Sequence, residues 1–167
     1  THIPEESDVQ KQMRAEAKVF RAFCYFELIS MWGTPPLVDH ELSSSEYNQP
    51  NGDPEKLWNL VNTDLTEAIN SGYLVQKSSV TDNTNYRVSK QFAQALLGKA
   101  YLWQKNYSAA AEQLNAVVNS GLYKLYTGDY GDILAYDNKN NCESVFESNR
   151  IDDSNNVWDN YSMYQLM

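Results

Sequence analysis

The residues of this chain best suited to chemistry are its aromatics. Four Trp and twelve Tyr stand among 167 residues, and aromatics reach 13%. Flat rings stack on the apolar faces of sugars, while amides and carboxylates bond the hydroxyls, so a surface mixing Trp, Tyr and Asn suits a saccharide. Trp32, Tyr47, Tyr86, Trp158, Tyr161 and Tyr164 fall at helix ends or in loops, where a ring is free to meet a ligand. Trp32 and Thr34 flank Gly33 at a break where the chain must turn. Trp32, Thr34, Tyr47 and Trp158 are therefore the candidate ligand contacts. Tyr25, Tyr101 and Tyr107 sit at helix-packing positions and are assigned to the core.

Catalytic patterns are poorly supported. His2 and His40 have no Ser or Cys setting of a nucleophilic kind, no G-x-S-x-G elbow occurs, and no phosphate- or dinucleotide-binding glycine loop is present. The carboxylates are spaced as solvated helix and loop residues rather than as an acid/base pair. Asp137-Asn138-Lys139-Asn140-Asn141-Cys142-Glu143 has some calcium-loop character, but Lys139 stands where an oxygen ligand is wanted and Ser148 where a Glu is wanted. It reads as a polar turn. The expectation is a non-enzyme with no cofactor and no resident metal.

A net charge of -9 and a pI near 4.6 exclude nucleic acid as a partner, since phosphate backbones are bound by clustered Lys and Arg. No apolar run approaches the roughly 20 residues that span a bilayer. Cys24, among Phe23, Tyr25 and Phe26, reads as a small buried apolar residue; a disulfide with Cys142 is left open.

The elements that would position these groups are helices. Ser7 or Asp8 starts the first. Val9, Met13, Ala17, Phe20, Cys24, Leu28 and Met31, spaced 4, 4, 3, 4, 4 and 3, form one apolar stripe widened by Val19, Phe23 and Phe26. Lys11, Arg14, Lys18 and Arg21 are placed mostly on the solvated side. Gly33, Pro35 and Pro36 end this helix, and 39–52 reads as a polar loop. Asp53-Pro54-Glu55 opens a second helix with Leu57, Leu60, Val61, Leu65, Ala68 and Ile69 as its apolar face, stopped by Gly72. After a polar loop over 76–86, Ser89 caps a third helix carrying Phe92, Leu96, Leu97, Ala100 and Tyr101. Ser108 caps a fourth, with Ala110, Ala111, Leu114, Val117 and Val118, stopped by Gly121.

An internal repeat links the helices. Ala68-Ile69-Asn70-Ser71-Gly72-Tyr73-Leu74 matches Val117-Val118-Asn119-Ser120-Gly121-Leu122-Tyr123 at an offset of 49. The chain thus reads as two helical hairpins, 7–74 with an insertion and 88–123, within one domain over 1–167. Segment 124–167 reads as irregular, with a short strand at Ser144-Val145-Phe146-Glu147. The second hairpin resembles a tetratricopeptide repeat in Gly98, Tyr101, Ala110, Leu114 and Val117, and departs from that motif at Gln94 and Leu122. The fold class is mainly α: tetratricopeptide-like hairpins of an α–α superhelix, with long loop insertions and little strand.

Ala15 through Leu28 followed by Trp32-Gly33-Thr34-Pro35-Pro36-Leu37-Val38, then Leu57 through Ile69, Arg87 through Leu102, Asn106-Tyr107-Ser108-Ala109-Ala110, Asn119 through Tyr123 and Glu143 through Glu147, together resemble the SusD/RagB family in order and spacing. The resemblance implies a nutrient-binding subunit of Bacteroidetes, non-catalytic and usually for an oligosaccharide or polysaccharide. It would be lipid-anchored on the outer membrane beside a TonB-dependent, SusC-like transporter that takes the ligand. Family members are longer and carry a lipoprotein signal, so the expectation is an internal piece of a longer chain, touching membrane only through an anchor outside this sequence. The alternative is a tetratricopeptide-type protein-interaction scaffold.

Overall fold

The computed structural model describes residues 6–80 and 87–147. Four helices dominate: α1 (Asp8–Trp32), α2 (Pro54–Asn70), α3 (Lys90–Trp103) and α4 (Tyr107–Val118). Their starts follow local chemistry. Ser7 accepts the Gln10 N–H while the Gln10 side chain accepts the Ser7 N–H, a reciprocal cap. Asp53 accepts from the amides of Glu55 and Lys56 ahead of Pro54, and Ser89 accepts from Phe92. α4 starts two residues earlier than its sequence suggests, because Asn106 rather than Ser108 supplies the cap, to the Ala109 N–H.

The internal repeat is visible as duplicated stop geometry. Ser71 donates to Ala68 C=O (2.7 Å) and accepts from Tyr73 N–H; Ser120 donates to Val117 C=O (2.6 Å) and accepts from Leu122 N–H. The glycine after each serine takes a left-handed turn, at φ 76° and 70°.

α1 packs on α2, α2 on α3 and α3 on α4, while α1 and α3 meet only sparsely. Val19, Ala22 and Phe26 of α1 meet Leu57, Val61, Leu65 and Ala68 of α2, and Ala93, Leu96, Leu97 and Ala100 of α3 complete the core. α3 and α4 approach closely at Gly98, where a Cβ would lie 2.6 Å from Leu114 Cγ. The turn between them is tight, with Lys105 at φ 60°.

The orientation of α1 differs from its sequence reading. Ala15, Val19, Ala22, Phe26 and Ile29 face the core; Val9, Met13, Phe20 and Met31 are exposed, as are Ala17 and Cys24. At about 100° per residue the two stripes lie on roughly opposite sides of the helix. The placement of its cations changes too. Arg21 clasps the buried Asp64 of α2 through two bonds of 2.6 and 2.8 Å, and Lys18 pairs with Glu67. These pairs lock the α1–α2 seam, which turns the 9-to-31 stripe outward. Cys24 and Cys142 are free thiols, so Cys24 is a surface thiol rather than a core residue.

Among the described residues there is no strand, and one isolated bridge joins Val75 to Ser89. Residues 144–147 form no strand: the Ser144 N–H turns back to Asn141 C=O, and the flanking Glu143 and Glu147 side chains accept the Tyr126 and Asn140 N–H groups. The Lys124 N–H to Cys142 C=O bond joins the Tyr126–Glu143 bond in linking 122–127 with 142–143.

Candidate functional site

One end of the bundle gathers aromatic rings. Phe23 lies against Phe92 (6.1 Å) and Phe26 against Trp103 (5.9 Å), so α1 and α3 run in the same direction, with Trp103, the last residue of α3, level with Phe26. α2 begins at the same end, where Trp58 meets Phe26 edge-on at 6.1 Å. The buried Phe26 is thus a hub with Trp58 and Trp103 at its edges and the Lys99 ammonium 4.9 Å above its face. The contact with Phe26 fixes Trp103 without covering it, leaving it 55% exposed; Trp32 and Tyr107 are exposed too, at 68% and 65%.

The loop leaving this end is fastened at its base. Gly52 N–H donates to Pro35 C=O (3.1 Å), and Val38 N–H donates to the Tyr25 hydroxyl (2.6 Å), which in turn donates to Val38 C=O (3.0 Å). Further out, a short 3-10 turn (Ser44–Glu46) carries Tyr47 on its far side, exposed. His40 reaches Asp39 (2.8 Å) and Glu46 (3.4 Å). The Ser43 hydroxyl and amide, with His40, bring the Glu46 carboxyl down to about 2. Asp39 and then Glu46 raise His40 above its ordinary value, and His40 in return lowers Asp39.

Behind the aromatic end, the sparse contact between α1 and α3 leaves a groove of about 570 Å³. Phe23, Phe92 and Phe146 wall it, with Phe92 and Phe146 stacked at 4.3 Å, and Glu27, Lys99 and Glu143 stand at its polar edge. Lys99 lines the groove and also covers Phe26, and Trp103 follows it by one helical turn. Groove and aromatic end therefore form one surface, wide enough for a ligand of several rings.

Of the residues named from sequence, Trp32 and Thr34 are brought together: Thr34 N–H donates to Trp32 C=O (2.9 Å), with Trp32 outward and Thr34 half-buried. Tyr47 sits apart on the loop, and no ring contact joins it to Trp32 among the described residues. Trp158, like Tyr86, Tyr161 and Tyr164, lies outside the described residues. Tyr25 is buried as expected, but Tyr107 is exposed, because α4 starts there and its first turn projects beyond α3. Trp103 and Trp58 were missed. Trp103 had the same signal that marked Trp32, an aromatic closing a helix before a turn. Around the Asp137–Glu143 segment the amides are used internally: Asn141 donates to Ile133 and Asn138 carbonyls, and Asn138 to Asp132 C=O. No group of three or more metal-ligating side chains occurs among the described residues.

No protein-family model matches the chain. A curated SusD-like protein P38 of Formosa agariphila is 28% identical over 127 residues, covering 75% of this chain and 24% of that protein. A laminarin-binding SusD-like protein of known structure superposes with a TM-score of 0.74 at 32% identity, over 86% of this chain and 32% of its own. These likenesses support SusD-like family membership. A SusD-like carbohydrate-binding protein of Bacteroides fragilis superposes on the same helices at 27% identity, TM-score 0.68, over 77% of this chain and 25% of its own. This SusD-like chain spans about a quarter of the length of the curated relatives it matches. Its mainly helical, tetratricopeptide-like architecture is that of these neighbours.

Proposed function

We propose that this SusD-like chain contributes to a non-catalytic glycan-binding protein of the outer-membrane surface, which passes its ligand to a TonB-dependent, SusC-like transporter. The observation that carries this reading is the set of exposed rings at the aromatic end: Trp103 and Trp32 stand outward from a base held rigid by Phe26 and by the fastened loop. Sugar faces stack on such rings, and Thr34, Glu27 and Lys99 supply hydrogen bonds beside them. The similarity to a laminarin-binding protein supports a neutral oligosaccharide as the ligand class. Trp32, Thr34 and Tyr47 belong to this proposed surface, and Trp158 to the part of the site outside the described residues. The membrane association would come from a lipid anchor; no helix among the described residues is long and apolar enough to cross a membrane.

Affinity electrophoresis of the protein against a polysaccharide panel, with reducing-sugar release followed in parallel, tests the proposal. Retardation without release supports it. Release would make the protein a hydrolase, and no retardation by any polysaccharide would remove the reading. The second reading, a protein-interaction scaffold, draws on the exposed Val9 and Met13 in the first half of α1; it predicts that Met13→Ser, at the other end of α1 from Trp32, abolishes partner capture while leaving saccharide affinity intact.

A further inference from the structure

The cations of this acidic chain are unevenly placed. Lys11, Arg14 and Lys18 line a single cleft of about 190 Å³ between the first half of α1 and the C-terminal end of α2, closed by Ala15, Ala68, Ser71 and Tyr73. The cleft also holds Glu6 and Glu67, so it carries three positive and two negative groups in a chain of net charge -9. It lies at the opposite end of α1 from Trp32 and is separate from the aromatic groove.

What distinguishes these cations is how loosely they are engaged. The other arginine forks among the described residues are engaged twice: Arg21 holds Asp64 with two bonds, and Arg87 holds Glu16 with two of 2.9 Å. Arg14 touches Glu6 through one terminal nitrogen at 2.9 Å, leaving the other donors of its guanidinium fork for a ligand. Lys11 makes a long contact of 3.5 Å to the largely solvated Asp8 and leans over Tyr73, 5.2 Å from the ring centre, with the Tyr73 hydroxyl as its stronger partner. Lys18 is tied to Glu67 and adds charge to the floor. Exposed single-contact pairs of this kind are worth little and exchange readily for a better anion. A planar or tetrahedral oxyanion accepting from both the Arg14 fork and Lys11 is such an anion.

We propose that this cleft is a second binding site, taking the carboxylate or sulfate of an acidic sugar residue. The ligand class rests on the glycan-binding reading above and deepens it: a SusD-like chain with this cleft discriminates charged from uncharged saccharides. The cleft is smaller than the roughly 300–1,000 Å³ that holds a whole drug-sized ligand. It therefore grips one charged ring, and the remainder of a chain-like ligand lies outside it.

The test is amide chemical-shift titration of the protein with sodium glucuronate, with galactose 6-sulfate, and with uncharged glucose and galactose. The site predicts shifts at Lys11, Arg14, Ser71 and Tyr73 for a charged sugar and none there for the uncharged ones. A response to glucuronate alone or to the sulfate alone names the oxyanion. Arg14→Gln combined with Lys11→Gln removes both cations and weakens the charged sugar by about ten-fold or more, with a melting temperature lowered by only a few degrees, since Arg14 is exposed and Lys11 half-exposed beside Tyr73. Equal shifts from charged and uncharged sugars, or charged-sugar binding unaltered in the variant, would overturn the proposal. Failure of the glycan reading looks different: uncharged oligosaccharides then fail at the aromatic end whatever glucuronate does here.

Discussion

Removing Arg21 and removing Asp64 should have unequal effects, although each breaks the same pair. The Asp64 side chain is 4% exposed and its hydrogen bonds run to Arg21; the Arg21 side chain is 38% exposed. Arg21→Ala strands a carboxylate inside the α1–α2 seam. Breaking a fully buried pair in this way costs about 3–5 kcal/mol, and the partial solvation of this one reduces the expectation to about 2–3 kcal/mol. Asp64→Ala leaves a guanidinium that reaches water, so its cost is about 1 kcal/mol, the worth of the lost bonds and a small void. Urea denaturation of both variants, with Arg21→Ala/Asp64→Ala completing the cycle, measures the difference. The double variant should be more stable than Arg21→Ala alone, because the stranded charge is gone. An Asp64→Ala cost equal to or above that of Arg21→Ala would refute the reasoning and return Arg21 to the solvated face.

Three further outcomes follow from the same geometry. Phe26→Ala should cost about 3–5 kcal/mol, and Phe20→Ala about 1 kcal/mol or less, since Phe26 is 1% exposed and Phe20 45%; equal losses in urea titrations would contradict the observed face of α1. Gly98→Ala should destabilise by about 1–3 kcal/mol through the clash with Leu114, and Leu114→Ala should recover part of that loss in calorimetry. In the outer loop, Glu46 lies below its ordinary 4.5, so the loop contact it makes is present above that value and fades as pH falls toward about 2. His40 lies above 6.5, so its contribution is complete below 6.5 and fades as pH rises through its folded value. Ser43→Ala should move the Glu46 midpoint back toward 4.5 in a carboxylate-carbon NMR titration.

Much of the fold was legible because its signals are local. The caps at Ser7, Asp53 and Ser89 and the stops at Gly33, Gly72 and Gly121 each depend on a few neighbouring residues, and the serine–glycine stop repeats with the same bonds at both positions. The inward face of α1 was not legible. Two apolar stripes satisfy the helical period, and the choice between them is made by Asp64 and Glu67, 43 and 49 residues from their partners Arg21 and Lys18. The site was half legible. Trp32 and Tyr47 are exposed as their position at a break and in a loop implied, and Thr34 shares the break. Tyr107 and Trp103 depended on where α3 stops and α4 starts, a boundary set by Lys105 at positive φ and by the Asn106 cap.

The central claim, that exposed rings on a rigid aromatic end hold a saccharide, is tested most directly by calorimetric titration of a neutral laminari-oligosaccharide into the protein and its Trp103→Ala and Trp32→Ala variants. Melting temperatures of all three should be read alongside. The account predicts at least about ten-fold weaker binding in Trp103→Ala, as the loss of one stacked ring implies, at a melting temperature lowered by only a few degrees. Unchanged affinity in both variants, with stability lost, would make these rings helix-end plugs and contradict the claim.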